Sequence, residues 1–231
     1  MLKLIKLEWK KHHLSSYFKG LLICIVAIFA LEALIVLDSK GESEPMFTDY
    51  AEFMLLTNVL NRIVFIIFSS VILSRLVINE YKNKTIQLLF AYPLRRKKLI
   101  QAKLSIVFGF CFSSIIISTL VINILTFFLN PIIGLFEAPV SVNEMITTIP
   151  STLTSALATA GISLIPLYFG MRKKSAATTI TSSVIIGFLI NAEAGSSSSL
   201  LDFIGVPIVL CLSGLTIGYL SYHKIDKIDV A

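Results

Sequence analysis

Charge is scarce in this chain. Only 15% of its 231 residues are Asp, Glu, Lys or Arg, against 55% hydrophobic. Soluble domains carry about 25% charged residues, so a soluble fold is excluded. The apolar runs also lack period-two alternation, which disfavours a β-barrel. Cysteine is nearly absent. Cys24, Cys111 and Cys211 each lie in an apolar segment without metal-ligand spacing, and read as small buried hydrophobes. The histidines are equally bare: His12 and His13 have no carboxylate or cysteine cluster beside them, and His223 is isolated. There is no G-x-x-x-x-G-K-[ST] phosphate loop, so the chain itself is not expected to hydrolyse nucleotide or to bind a cofactor. H-E-x-x-H and G-x-S-x-G are missing too, which removes zinc protease and serine hydrolase chemistry. No span carries arginines every third position, as a voltage sensor would, and no potassium filter is present. The basic amino end is followed by a long apolar block with no small-residue cleavage site, so no cleavable signal peptide is expected.

What the chain does have is oil in long blocks. Mean hydropathy is +0.85. Six apolar segments, 17–37, 54–78, 104–129, 145–170, 176–192 and 203–222, approach the roughly 20 residues that cross a bilayer core. The fifth is the shortest. Pro150 and Pro166 are expected to kink the fourth or mark its ends. The fold class that follows is all-α: a polytopic helical membrane protein. An interfacial helix occupies 1–16, a six-helix transmembrane domain 17–222, and a short tail 223–231. In the first segment Lys3, Lys6 and Lys10 share one helical stripe and Leu2, Ile5 and Trp9 another, with Leu4 and Leu7 widening the apolar face. This predicts a helix at the headgroup level. With the amino terminus inside, seventeen of the twenty Lys and Arg residues fall on the inner side, Arg75 ends the second span there, and only Lys40 lies in an outer loop. That asymmetry sets both termini in the cytoplasm of a cell membrane. The formal charge of +6 then faces the anionic inner leaflet; lipid explains it, and nucleic acid is not needed. Short outer loops without cysteine exclude a disulfide-bonded ectodomain.

The longest charged run, Glu80–Lys103, sits between the second and third spans and holds seven basic residues. Ile86, Leu89 and Phe90 are spaced i, i+3, i+4, an apolar stripe on a short helix that Pro93 should stop. The pattern E-x4-T-x7-P-x2-R-x6-K is filled by Glu80, Thr85, Pro93, Arg96 and Lys103. It resembles the signature of type-2 ABC exporter permeases, and the order of interfacial helix, spans and loop extends the resemblance over nearly the whole chain. Lys84 and Arg95 stand where many members have glycine and serine. The resemblance implies that the loop is a coupling helix: Glu80 and Thr85 begin it, Ile86, Leu89 and Phe90 touch an ATPase, and Pro93 and Arg96 close it. It also implies two copies of an ABC ATPase subunit that uses ATP and Mg, a second permease, identical or homologous, and export.

Polar residues inside the spans are the other candidates. Asn58, Asn61, Arg62, Phe65 and Ser69 recur at helical spacing on the second span, a candidate substrate path. Glu32 in the first span lies at a depth near that of Arg62, and the two are expected to pair. Thr148, Thr152, Ser155, Thr159 and Ser163 form a small-residue stripe suited to close packing, as do Gly214 and Gly218. Among such exporter permeases the small type with short outer loops resembles those that move amphipathic or antimicrobial peptides, drugs or lipids, so the resemblance implies such a substrate, and composition suggests a bacterial source. The alternatives are a membrane interaction or immunity protein that does not pump, and, least favoured, an intramembrane enzyme.

Overall fold

The structure is a computed structural model that describes residues 2–11, 16–39, 50–82, 96–133, 142–191 and 205–223. Every element among them is helical. In chain order they are α1 (Leu2–Lys11), α2 (Tyr17–Ser39), α3 (Tyr50–Leu73), a π-helical turn (Ser74–Ile78), α4 (Asn79–Lys82), α5 (Arg96–Ile133), α6 (Val142–Thr147), α7 (Ile149–Ile162), α8 (Pro166–Lys173), α9 (Ala176–Ile190) and α10 (Gly205–His223).

Four stretches are long and apolar enough to cross a membrane: Tyr17–Asp38, Tyr50–Ile78, Lys98–Asn130 and Met145–Lys173. Two shorter apolar helices, Ala176–Ile190 and Ile208–Leu220, follow. A spanning chain has no water for its backbone groups, so helix satisfies them locally and the residue types need only be apolar. Hence α2 is apolar all round. Only one stripe, Leu21, Ile25, Ile28, Glu32 and Val36, is buried, while Leu22, Ile23, Val26 and Leu34 remain exposed.

Helix α3 is the centre. It packs against α2, α5, α7 and α9, and its buried face runs from Tyr50 through Phe65 to Leu73. The core joins α2, α3 and α5 through Phe68, stacked on Phe110 at 5.7 Å between ring centroids, with Phe18 edge-on to Phe110. Helix α5 is 38 residues long, about 57 Å at 1.5 Å per residue. That exceeds a hydrocarbon core of roughly 30 Å, and its first turns pack against α1 with Leu99, Ile100 and Lys103 buried. The helix starts at Arg96, eight residues before the apolar segment 104–129, because Arg, Lys and Gln are good helix formers once the helix is nucleated.

The fourth apolar segment is broken. Helix α7 ends at Ile162, a turn occupies Ser163–Ile165, and α8 starts at Pro166. Pro150 and Pro166 both sit in the first turn of a helix, where a missing N–H costs nothing. The expected proline boundaries are thus present. The stripe of small residues packs as expected: Thr152, Thr159 and Ser163 are buried, and their hydroxyls turn back onto Thr148, Ser155 and Ala160 carbonyls at 2.7–2.9 Å. Helix α10 crosses α7 so closely that a methyl group on Gly214 would strike the Gly161 carbonyl oxygen. Gly214 therefore serves contact within the chain.

Candidate functional site

Within the segment 1–16, Leu2–Lys11 forms the helix α1, and it is not free. It packs on α5 through Ile5 and Trp9, with Trp9 6.2 Å from the Phe18 ring. Leu7, expected to widen the apolar face, is exposed on the other side. The buried face instead carries Glu8, the one acid among the first sixteen residues.

Glu8 points into a charge cluster. Lys103 of α5, 2% exposed, pairs with Glu80 of α4 and lies 3.4 Å from Glu8 Oε2. Lys11 of α1 donates to Glu80 Oε1 at 2.8 Å. Lys103 also donates to the Leu76 carbonyl at 2.9 Å. Two carboxylates and two ammonium groups thus close a neutral clasp over three elements. Burial alone would raise the Glu80 carboxyl, but the charge and hydrogen bond of Lys103, with those of Lys11, outweigh it and hold the group below its ordinary value.

The clasp sits beside a π-helical turn, where the Asn79 N–H bonds to the Ser74 carbonyl five residues back. Such wide turns are uncommon and cluster at functional positions. Arg75 in this turn stacks over the Tyr17 ring at 5.7 Å, which ties α2 to the same end. Gly170 of α8 abuts Ile78 and Thr179 so tightly that no side chain fits there. Four parts of the chain therefore converge around residues 74–82.

Glu80 and Lys103 are the first and last residues of the sequence pattern, 23 positions apart. Sequence reasoning selected both but did not pair them, and it missed Glu8 and Lys11. The lone acid in a basic helix was the available signal. Arg96 is the first residue of α5. Thr85, Ile86, Leu89, Phe90 and Pro93 lie outside the described residues.

The stripe on α3 is brought together as read: Asn58, Asn61, Arg62, Phe65 and Ser69 are all buried. Part of its polarity is spent on neighbours, while Asn58 Oδ1 and Ser69 Oγ have no hydrogen-bond partner among the described residues. Asn61 donates to Thr119 at 3.2 Å and accepts from Ser118 at 2.7 Å. Arg62 Nε donates to the Asn58 carbonyl at 3.1 Å. Tyr50 bonds to Asn123, and Ser70 to Ser183 at 2.8 Å. A groove of about 310 Å³ between α5, α6 and α7 borders this network at Thr119, Asn123, Thr148 and Thr152.

The expected Glu32–Arg62 pair does not form. Glu32 is fully buried, and neither carboxylate oxygen has a hydrogen-bond partner among the described residues. Its polar neighbour is Thr57, whose hydroxyl donates to Phe53 at 3.0 Å. Thr57 and Arg62 are five residues apart on α3, about 140° around the helix. Matching depth was not enough, because the two groups face different sides.

Comparison with known proteins decides the family. A family profile described as ABC-2 family transporter protein matches residues 4–191. The chain belongs to the ABC-2 transporter family. It is 35% identical over 228 residues to an uncharacterized Bacillus subtilis (strain 168) protein, YcbO, a match that covers 99% of this chain and all of that one. No solved structure matches it. This family consists of membrane transport components that associate with an ABC ATPase, so the resemblance carried by Glu80–Lys103 led to the right family.

Proposed function

We propose that this ABC-2 family chain is the permease subunit of an exporter, coupling the substrate path to ATP hydrolysis in a separate subunit. Six spans, with both termini in the cytoplasm, form half of the transporter, and a second permease forms the other half. Two ATPase subunits, which use ATP and Mg, dock on residues 83–95 through Ile86, Leu89 and Phe90. The chain itself performs no catalysis. Substrate moves beside the polar stripe Asn58–Ser69 of α3, and an amphipathic or antimicrobial peptide, a drug or a lipid fits so apolar a bundle.

The supporting observation is the clasp, seen within an established family. Lys103 and Glu80 join the two ends of the segment that lies between α4 and α5, and Glu8 and Lys11 add α1. A push on that segment reaches α3, α5 and α1 together. A loose loop would dissipate it in side-chain motion.

The test is capture of the ATPase. The chain, expressed with an ABC ATPase encoded beside it, retains that subunit through purification in detergent. Leu89→Asp with Phe90→Asp releases it while the permease stays folded. Undiminished capture by the double variant sinks the docking assignment.

A further inference from the structure

Glu32 is a buried acid whose chemistry nothing above absorbs. It lies on the buried stripe of α2, fully enclosed, with both oxygens lacking a hydrogen-bond partner among the described residues. A carboxylate offers only acceptors, and an isolated one in a low-dielectric interior costs several kcal/mol unless something compensates it. Among the described residues no donor reaches either oxygen. Thr57 spends its hydroxyl proton on Phe53. Asn58 Oδ1, from the next residue of α3, is likewise buried without a donor. Asn61, one turn further along, has both ends of its amide satisfied. α2 itself is held to the bundle by a single stripe. That stripe packs on α3 and α5, so a ligand reaches the carboxyl where α2 parts from them.

We propose that Glu32 is a binding site for the cationic group of an amphipathic ligand, a primary ammonium or a guanidinium, with the ligand's apolar body along the α2–α3 seam. This rests on the permease reading and specifies its substrate class. Such a head supplies what the site lacks, a positive charge and N–H donors, and Arg or Lys termini of a peptide carry it. An aminated lipid headgroup offers the same chemistry. Glu32, however, lies seven residues in from Ser39, the end of α2 (39 less 32), about 10 Å along the axis. That is below headgroup level, which favours an amphiphile that enters the bundle.

The decisive experiment needs no ATPase. The full-length chain in phosphatidylglycerol nanodiscs is treated with dicyclohexylcarbodiimide, which adds to a carboxyl in an apolar site, and labelled Glu32 is followed by peptide mass spectrometry. Dodecylammonium slows labelling by roughly tenfold, the scale of one charge-assisted hydrogen bond, while dodecanol does not. Equal protection by dodecanol, no protection by the amine, or no reaction at Glu32 each overturns the proposal. Protection by added phosphatidylethanolamine in place of dodecylammonium assigns the site to lipid and overturns the substrate reading. In the complex with the ATPase, the amine-over-alcohol ratio of ATPase stimulation collapses in Glu32→Gln and survives in Glu32→Asp. Loss of ATPase capture refutes the permease reading without touching the labelling result, so the two failures are distinguishable.

Discussion

Lys103 is a buried cation with two carboxylates and a backbone carbonyl around it. Removing one partner of such a set leaves uncompensated buried charge, which costs about 3–5 kcal/mol. Lys103→Met is therefore expected to lower thermal stability in detergent sharply. Adding Glu80→Gln recovers part of the loss, because only Glu8 is then left facing the gap. Equal loss in the single and double variants would show that the pair is not coupled. The cluster also sets a pH response. The Glu80 carboxyl is held below its ordinary value in the folded chain, so the folded state binds its proton less well than the unfolded one. Its contribution is fully present above the unfolded carboxyl range, near pH 4.3, and drains away as pH falls through the lower folded value. Unfolding scans from pH 6 downward should show this acid loss in the native chain and a reduced loss in Glu80→Gln. Residue identities here were legible, since Glu80 and Lys103 stood out in the sequence pattern. Their partnership was not, because hydrogen-bond reach across 23 positions depends on how α4 approaches α5.

Among the elements, the α7–α10 crossing offers the sharpest test. Gly214 faces the backbone of Gly161, which has no flexible end to move aside, whereas a methyl group on Gly218 would meet only Leu104 and Leu164 side-chain tips at ordinary contact, 3.6–3.7 Å. Gly214→Ala should destabilise the bundle by about 1–3 kcal/mol, the usual cost of overpacking, and Gly218→Ala should be nearly neutral. Equal effects in a thermal-shift assay would contradict the packing. The corner between α8 and α9 gives the opposite sign. Lys174 adopts φ 47°, the left-handed region, which costs a side-chain-bearing residue about 1–2 kcal/mol. Lys174→Gly is expected to raise the unfolding temperature. The helices were readable from hydropathy and from Pro150 and Pro166. The π-turn at Ser74–Ile78 was not, since no residue type encodes a five-residue hydrogen-bond register.

At the scale of the molecule, the proposed orientation rests on where the basic residues lie. Single cysteines in a background with Cys24, Cys111 and Cys211 replaced by serine provide the check. A cysteine at Lys40 should react with a membrane-impermeant maleimide on intact cells, and one at Lys173 only after permeabilisation. The reverse pattern would invert the chain and move the clasp to the outer face. The same frame gives α1 its role: through Glu8 and Lys11 it is attached to the mouth of the 83–95 segment, so it should move with α4 and α5 during turnover.

The sequence by itself determined the class of protein, because helix in lipid needs only apolar residues in sufficient length, and that information is local. It also determined the family, through residues whose spacing along the chain carries the pattern. Only the tertiary structure decided which charges meet. Glu80 found Lys103 and Glu8 found a buried seat because α1, α4 and α5 converge. Glu32 failed to meet Arg62 because rotation about α3, invisible in a count of residues along the span, turned the guanidinium to another side and left the carboxyl facing Thr57.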